Sequence, residues 1–421
     1  MASKPRYRIA CGAGLFSFLP SNPAPARDQR RGNRDIYDGC AGAKNGKRAG
    51  AMKRETFPIS ILYSTTGPYA NLGREAVDGA MAAISEINTG PEYPFRLEPR
   101  IADPAGRAEY YALLADQAIR QHGCRHVIGT FTSWSRKDVQ PVVEKHGALL
   151  WYGFPYEGYE ANDRTIYLGA CPNQHLLPLF DHVLNDGWRK AFIVGSNYIW
   201  GWEISRIARE IAEAANAEIL ADRFVPLGSL EVNHLVSEIG DKRPDFILSN
   251  LVGASAAAFL AAYDHLRRKA PSPPPVVACN LSEIDLVDLT PSARAGHISC
   301  SPYFNGIDDD DNRSFKSRMA RRHGQDRRLT NSFAGAYTSV SILAQAIRDA
   351  ATDEPEAVRR IVTTRHFDTP MGLVRIDQRT QHAALRPHIG QSNAEGEFAI
   401  FQSAQGAVEA DPYLLRAPAR F

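Results

Sequence analysis

Beyond residue 56 the apolar positions fall into two kinds of segment: short unbroken runs, and longer stretches where they recur every three or four residues. The first kind reads as buried strand and the second as amphipathic helix. A strand is expected at 57–63, then a helix at 76–87 ending on Asn88-Thr89-Gly90, a strand at 96–102 and a helix at 108–122. A strand at 126–129, a helix at 136–146 and a strand at 148–152 complete the series. A second series starts near Asn173, with helices at 175–185, 203–216, 232–239 and 254–268. Its strands are expected at 191–195, 218–225, 245–249 and 276–279, the last after a loop at 270–275 that holds four prolines. Unbroken apolar strands alternating with helices predict parallel sheets covered on both faces. Two such series predict an α/β fold with two doubly wound, Rossmann-like lobes. Helices are also expected at 314–322 and 332–350, followed by short strand-like pieces at 372–376, 388–391 and 397–400 that form no third series.

At 421 residues the chain is too long for one hydrophobic core. Its 49 basic and 47 acidic residues nearly cancel, which argues against direct nucleic-acid binding. The six cysteines stand far apart, without zinc spacing, and read as small buried hydrophobes. No apolar run is long enough to span a membrane. Residues 1–55 read as a tail, disordered or processed, and two readings fit it. Lys4, Arg6 and Arg8 before the apolar stretch 9–19, with Ala24-Pro25-Ala26 after it, have the layout of a signal peptide and a periplasmic product. Alternatively, Met52 just before the first strand is the true start and the protein is cytoplasmic.

No dinucleotide fingerprint, phosphate loop, nucleophile elbow or zinc-protease motif is present, and nothing nominates a cofactor, a metal or an enzyme. The acidic run at 308–311 lacks calcium-loop spacing and reads as a solvated turn. What stands out are strand-to-helix loops, where open α/β sheets bind ligands. Ser64-Thr65-Thr66-Gly67-Pro68, the stretch from Thr130 to Lys137 and the stretch from Trp151 to Gly158 carry hydroxyls, free backbone amides and aromatic rings. Gly195-Ser196-Asn197-Tyr198-Ile199-Trp200 ends a strand of the second series in the same way. That mixture suits a small, uncharged polar ligand. Each has a plainer reading: Ser133 or Ser135 as a helix cap, Trp151 and Tyr152 as core, Tyr198 and Trp200 as hinge packing.

Thr132-Ser133-x-Ser135-Arg136-Lys137, Val139-Gln140-Pro141-Val142-Val143-Glu144, Tyr152-x-x-x-Tyr156-Glu157-Gly158, Pro172-Asn173-Gln174 and Gly195-Ser196-Asn197-Tyr198-Ile199 resemble one subgroup of the type I periplasmic-binding-fold proteins. That subgroup holds the amide-sensing negative regulators of amidase operons and the substrate-binding proteins of urea transporters. Val252-Gly253-Ala254-Ser255-Ala256, Ser282-Glu283, Pro302-Tyr303-Phe304 and Asp411-Pro412-Tyr413 lean toward the regulators. The resemblance implies two lobes, 56–172 with 303–352 and 173–302 with 353–421, joined by a multi-strand hinge and closing on ligand. It further implies a ligand site at Ser133, Tyr152, Phe154, Pro155, Tyr198, Phe131 and Thr132. Ser133 would hydrogen-bond the ligand, Tyr152 line the pocket, Pro155 offer its carbonyl and Tyr198 close over it. Phe131 and Phe154 stand where the amide sensors have tyrosine and threonine. Losing two hydroxyls costs about 1–3 kcal/mol for each buried partner, which favours a more apolar amide or another small molecule over acetamide. The implied role is a sensor of an amidase-type operon whose partner is an RNA-binding antitermination regulator, with a possible homo-oligomer. The alternative is the substrate-binding component of an ABC transporter for urea, short-chain amides or amino acids, with an ABC permease as partner.

Overall fold

The computed structural model describes residues 54–415 except 271 and 326; the expectations for the tail up to residue 53, with Cys11 and Cys40, lie outside them. The chain runs β1 (Glu55–Leu62), α1 (Ala70–Thr89), β2 (Phe95–Ala102), α2 (Ala108–His122), β3 (His126–Gly129), α3 (Ser133–His146), β4 (Leu149–Tyr152) and β5 (Thr165–Tyr167). It continues through α4 (Pro172–Asn185), β6 (Lys190–Ser196), α5 (Ile199–Ala214), β7 (Glu218–Val225), α6 (Asn233–Lys242), β8 (Phe246–Asn250), α7 (Ala254–Arg267) and β9 (Val276–Ala278). Short α8 (Glu283–Leu286) and α9 (Pro291–Arg294) lead to β10 (Ile298–Ser301), α10 (Asp310–His323), α11 (Asn331–Ala350) and α12 (Pro355–Val362). The last strands are β11 (His366–Thr369), β12 (Gly372–Ile376), β13 (Ala383–Ala384), β14 (His388–Ser392) and β15 (Phe398–Ser403).

The first lobe is built on a parallel sheet of order β2-β1-β3-β4-β5, in which β1 keeps register with β2 from Glu55↔Phe95 to Leu62↔Ala102. The second is built on a sheet of order β15-β14-β10-β9-β8-β6-β7. Here the parallel expectation needs correcting, since β14 pairs antiparallel with both β10 and β15. The strand-like pieces near 388 and 397 are therefore the edge of the second sheet. The chain crosses between the lobes after β5, after β10 and between α12 and β14, and the small sheet β11-β12-β13 lies in the last crossing. Helix α11 packs along α1 and returns the chain to the first lobe between the second and third crossings.

Several helices begin earlier than their apolar stripe: α1 at Ala70, α3 at Ser133 and α5 at Ile199. Their first turns are buried too, as with Leu72, Ser133 and Trp200, but the polar residues and glycines there interrupt the apolar stripe that periodicity reads. Strands β5 and β10 were not expected: one is three residues long, and the other alternates serine with apolar residues. Asp308–Asp311 is not merely a solvated turn. Asp309 caps α10 by accepting the Asn312 N–H, and Asp310 and Asp311 form its acidic first turn, where carboxylates meet the positive helix end. Cys124, Cys171, Cys279 and Cys300 are buried and unpaired, as small hydrophobes would be. Among the described residues no helix is long and apolar enough to cross a membrane, and no acidic, His or Cys cluster could hold a metal.

One acid under the second lobe's strand ends makes stability depend on pH. Glu283 is fully buried; Oε1 accepts the Asn305 N–H at 2.7 Å, while Oε2 has no partner. Burial pushes its carboxyl from 4.5 up to about 8. Protonated Glu283 therefore favours the fold, a contribution complete below pH 4.5 and lost as pH rises through about 8. Tm is expected to fall between about pH 4.5 and pH 8 and to level off above. Glu283→Gln, which keeps the shape without the charge, should flatten that slope in a thermal-unfolding series; an unchanged slope would exclude Glu283 as its source.

Candidate functional site

Strand β3 delivers the chain into α3 through Thr130, Phe131 and Thr132. Thr132 is the N-cap: its hydroxyl accepts the Ser135 N–H at 3.2 Å, and Ser135 Oγ accepts the Thr132 N–H at 3.0 Å. This reciprocal cap makes Ser133 the first helical residue, whose N–H has no acceptor inside the helix. Neither Ser133 nor Ser135 is the cap residue. The Ser133 hydroxyl donates to Glu157 Oε2 at 2.6 Å, and Glu157 Oε1 accepts from Arg136 Nη2 at 2.7 Å.

Arg136 is completely buried. Its Nε donates to Glu160 Oε1 at 2.9 Å, and its guanidinium lies 4.8 Å from the Tyr152 ring centre and 4.7 Å from that of Tyr156. Lys137 Nζ adds a 2.7 Å contact to Glu160 Oε2, so two cations face two carboxylates. Burial alone would raise the Glu160 carboxyl. The Arg136 charge and hydrogen bonds from Arg136, Lys137 and Tyr167 outweigh it and hold the group well below the usual range. This charge-balanced cluster backs the aromatic wall of the site.

Tyr152 follows from the same geometry. Successive side chains of a strand point to opposite faces. Trp151 turns into the core, where its Nε1 donates to His126 Nδ1 at 3.3 Å, while Tyr152 donates its hydroxyl to the Phe131 carbonyl at 2.8 Å. Phe131 packs on Phe154 with ring centres 4.2 Å apart and stacks on Tyr69 at 5.2 Å. From the other lobe, Tyr198 and Trp200 open α5, Val252 follows β8 and Asn280 follows β9. Trp134 meets Tyr198 edge-on at 5.4 Å across the cleft.

These groups enclose a cavity of ≈ 20 Å³ lined by Phe131, Ser133, Tyr152, Phe154, Pro155, Tyr198, Trp200, Val252 and Asn280. That is room for about one water molecule. The lobes are drawn together, and the Ala254 N–H donates to the Pro68 carbonyl across the cleft at 3.0 Å. Anything larger than water has to part them. The lining is polar but uncharged. Among the described residues Trp200 Nε1 and Asn280 Oδ1 have no hydrogen-bond partner, while Asn280 Nδ2 donates to the Leu251 carbonyl at 2.8 Å. His175, 5.6 Å from the Trp200 ring, is kept neutral by burial, which lowers it to about 4.

Six of the seven residues expected from the sequence line this cavity: Ser133, Tyr152, Phe154, Pro155, Tyr198 and Phe131. Thr132 does not; its hydroxyl is spent on the cap. The Ser64-to-Pro68 loop also stays out. The Ser64 and Tyr111 hydroxyls lie 2.8 Å apart, and the Thr65 and Thr66 hydroxyls donate to Asp103, so that loop's polar groups hold it in place. Val252 and Asn280 were not singled out from the sequence, although each follows a strand, and Trp200 stood in a loop that was singled out without being named a ligand residue.

The family model of the periplasmic binding protein domain matches residues 57–419. The leucine-, isoleucine-, valine-, threonine- and alanine-binding protein of Pseudomonas aeruginosa is 22% identical over 339 residues, 78% of this chain and 88% of that protein. A limonene hydroxylase from Geobacillus stearothermophilus is 30% identical over 120 residues, but the chain spans only 22% of its length. A Rhodopseudomonas palustris solute-binding protein of an ABC transporter, solved with 3,4-dihydroxybenzoic acid, superposes with a TM-score of 0.74 at 16% identity, covering 84% of this chain and 98% of that one. A branched-chain amino acid transporter substrate-binding protein from Streptococcus pneumoniae, solved with isoleucine, gives 0.73 at 17% identity, covering 83% and 99%. The matched span takes in both lobes and every residue that lines the cavity, and the chain belongs to the periplasmic binding protein domain family, with the type I fold: a binding protein, not an enzyme.

Proposed function

We propose that the protein is the substrate-binding component of an ABC transporter, closing on one small, uncharged polar molecule of the amide or urea class. The observation that carries this is the uncharged, aromatic-walled cavity shared by the strand ends of both lobes. Closure then follows from differential contact: ligand that also touches Tyr198, Trp200 and Asn280 favours the closed arrangement over the open one. The transport and amino-acid-binding relatives support an ABC permease as partner. The sensor role, with an RNA-binding antitermination partner, rests on the sequence motifs alone and is the second reading.

A thermal-shift panel of short and branched amides, ureas and amino acids tests the site. A true ligand at a hundred times its Kd should stabilise the protein by about 2.7 kcal/mol. Tyr198→Ala should weaken that ligand by about one to two decades, having removed a buried aromatic wall. A panel without a single stabilising molecule, or a variant that binds as well as the wild type, would sink this reading. Export suits the transport role, with residues 1–26 as its signal. Sequencing the N-terminus of the protein from its native host should show cleavage after Ala26, whereas a chain starting at Met52 would favour the sensor.

A further inference from the structure

We infer that Glu157, from behind the cavity lining, sets the charge class of the ligand: by accepting the one Ser133 hydroxyl hydrogen it leaves Ser133 an acceptor toward the ligand, which selects a neutral molecule with an N–H beside its carbonyl over the matching carboxylate. This rests on the cavity being the ligand site. A serine hydroxyl has one hydrogen and two lone pairs. That hydrogen is held at 2.6 Å by Glu157 Oε2, and both residues are nearly inaccessible to water. Toward the cavity the oxygen can only accept. The backbone N–H of the same residue, at the first position of α3, can only donate. Ser133 thus offers a donor and an acceptor side by side, the complement of the carbonyl and N–H along one edge of a carboxamide or urea.

A carboxylate carries acceptors alone. One of its oxygens could take the Ser133 N–H, but the other would face the hydroxyl lone pairs. If the hydroxyl swung round to serve it, Glu157 Oε2 would be left buried without that donor, a loss of about one to two decades in affinity. Against the cost of burying a carboxylate in an uncharged cavity, the positive end of α3 pulls the other way, by about two- to fivefold where exposed and up to about thirtyfold where partly buried. No spare cation adds to it. Arg136 and Lys137 are already matched by Glu157 and Glu160 at 2.7 to 2.9 Å. Hydrogen-bond matching and the burial cost together outweigh the helix end, and the neutral ligand wins.

The test is titration calorimetry of the full chain with matched pairs: acetamide and acetate, isobutyramide and isobutyrate, benzamide and benzoate. The wild type should favour the amide of whichever pair fits by about tenfold. In Glu157→Gln the side-chain amide can donate to Ser133 Oγ, releasing the hydroxyl hydrogen. The preference should shrink by about tenfold, mostly through tighter carboxylate binding. Should that variant fail to fold, Ser133→Ala serves: the amide should lose about tenfold while the carboxylate changes less than about twofold. A wild type that binds the carboxylate as tightly as the amide overturns the inference and leaves the cavity as the ligand site. So does a preference unmoved in whichever variant folds. If neither member of any pair binds, the cavity reading falls and the inference with it.

Discussion

Replacing Arg136 by leucine is expected to cost the protein about 3–5 kcal/mol, the loss seen when one partner of a buried ion pair is removed. In a chain of this size that lowers Tm by roughly 4–7 °C. The reason lies in what stays behind. Glu160, buried beside α3, is held well below its usual range by the guanidinium, which also reaches the buried Glu157. Leucine fills part of the volume but leaves two carboxylates with Lys137 alone. Rings of Tyr152 and Tyr156 also lose the cation beside them, worth about 0.5–2 kcal/mol for each ring. The effect has a pH signature. Glu160 is depressed in the folded state, so its contribution is present above its unfolded value of 4.5 and lost as pH falls below it. Wild type and variant should therefore differ most near neutrality and converge in acid. An Arg136→Leu protein with wild-type Tm at neutral pH would contradict this account. Because Glu157 also holds the Ser133 hydroxyl, ligand response should fall with stability.

Gly253→Val is expected to leave each lobe folded but to weaken ligand binding by about a hundredfold, because it keeps the lobes from meeting. Gly253 precedes α7 with φ +61°, ψ −130°, a conformation that side chains rarely adopt. A Cβ there would lie 2.4 Å from the Pro68 carbonyl oxygen and 2.9 Å from Tyr69 Cα, both on the opposite lobe. Backbone strain lowers Tm modestly in open and closed forms alike, but the clash exists only when the cleft is shut. It also removes the neighbouring hydrogen bond from Ala254 to Pro68. Apparent affinity falls by the fraction of time the closed form is accessible. Small-angle scattering should show wild type compacting with ligand and the variant remaining extended. Full compaction with wild-type affinity would show that this contact does not govern closure.

The legible parts of the fold are those where one physical signal acts alone. Helix α2 and strands β3 and β7 have the ends their residues predict. A two-sided helix or a continuous apolar run there stops at a strong terminator, as at Gly123 with φ +68° after α2. The antiparallel edge strands β14 and β15 were visible as strands but not as an extension of the sheet, since the pairing of β14 with β10 across about 90 residues leaves no local trace. Of the residues that line the cavity, Phe131, Ser133 and Tyr152 were singled out because aromatic and hydroxyl residues directly follow strands. Thr132 was picked by the same rule, but its hydroxyl is spent on capping α3, a use that residue type and position alone do not distinguish from facing the cavity.

By itself the sequence determined two α/β lobes, the strand-end address of the site and its uncharged aromatic character, because these follow from local periodicity and residue type. Only the tertiary structure decided which groups share the cavity. It brought Trp200, Val252 and Asn280 from separate strand ends to face Phe131 and Tyr152. It also gathered Arg136, Glu157 and Glu160 into a buried cluster holding one serine hydrogen. The direction of that hydrogen bond comes from contacts between residues 24 apart in the chain, so no local pattern could encode it.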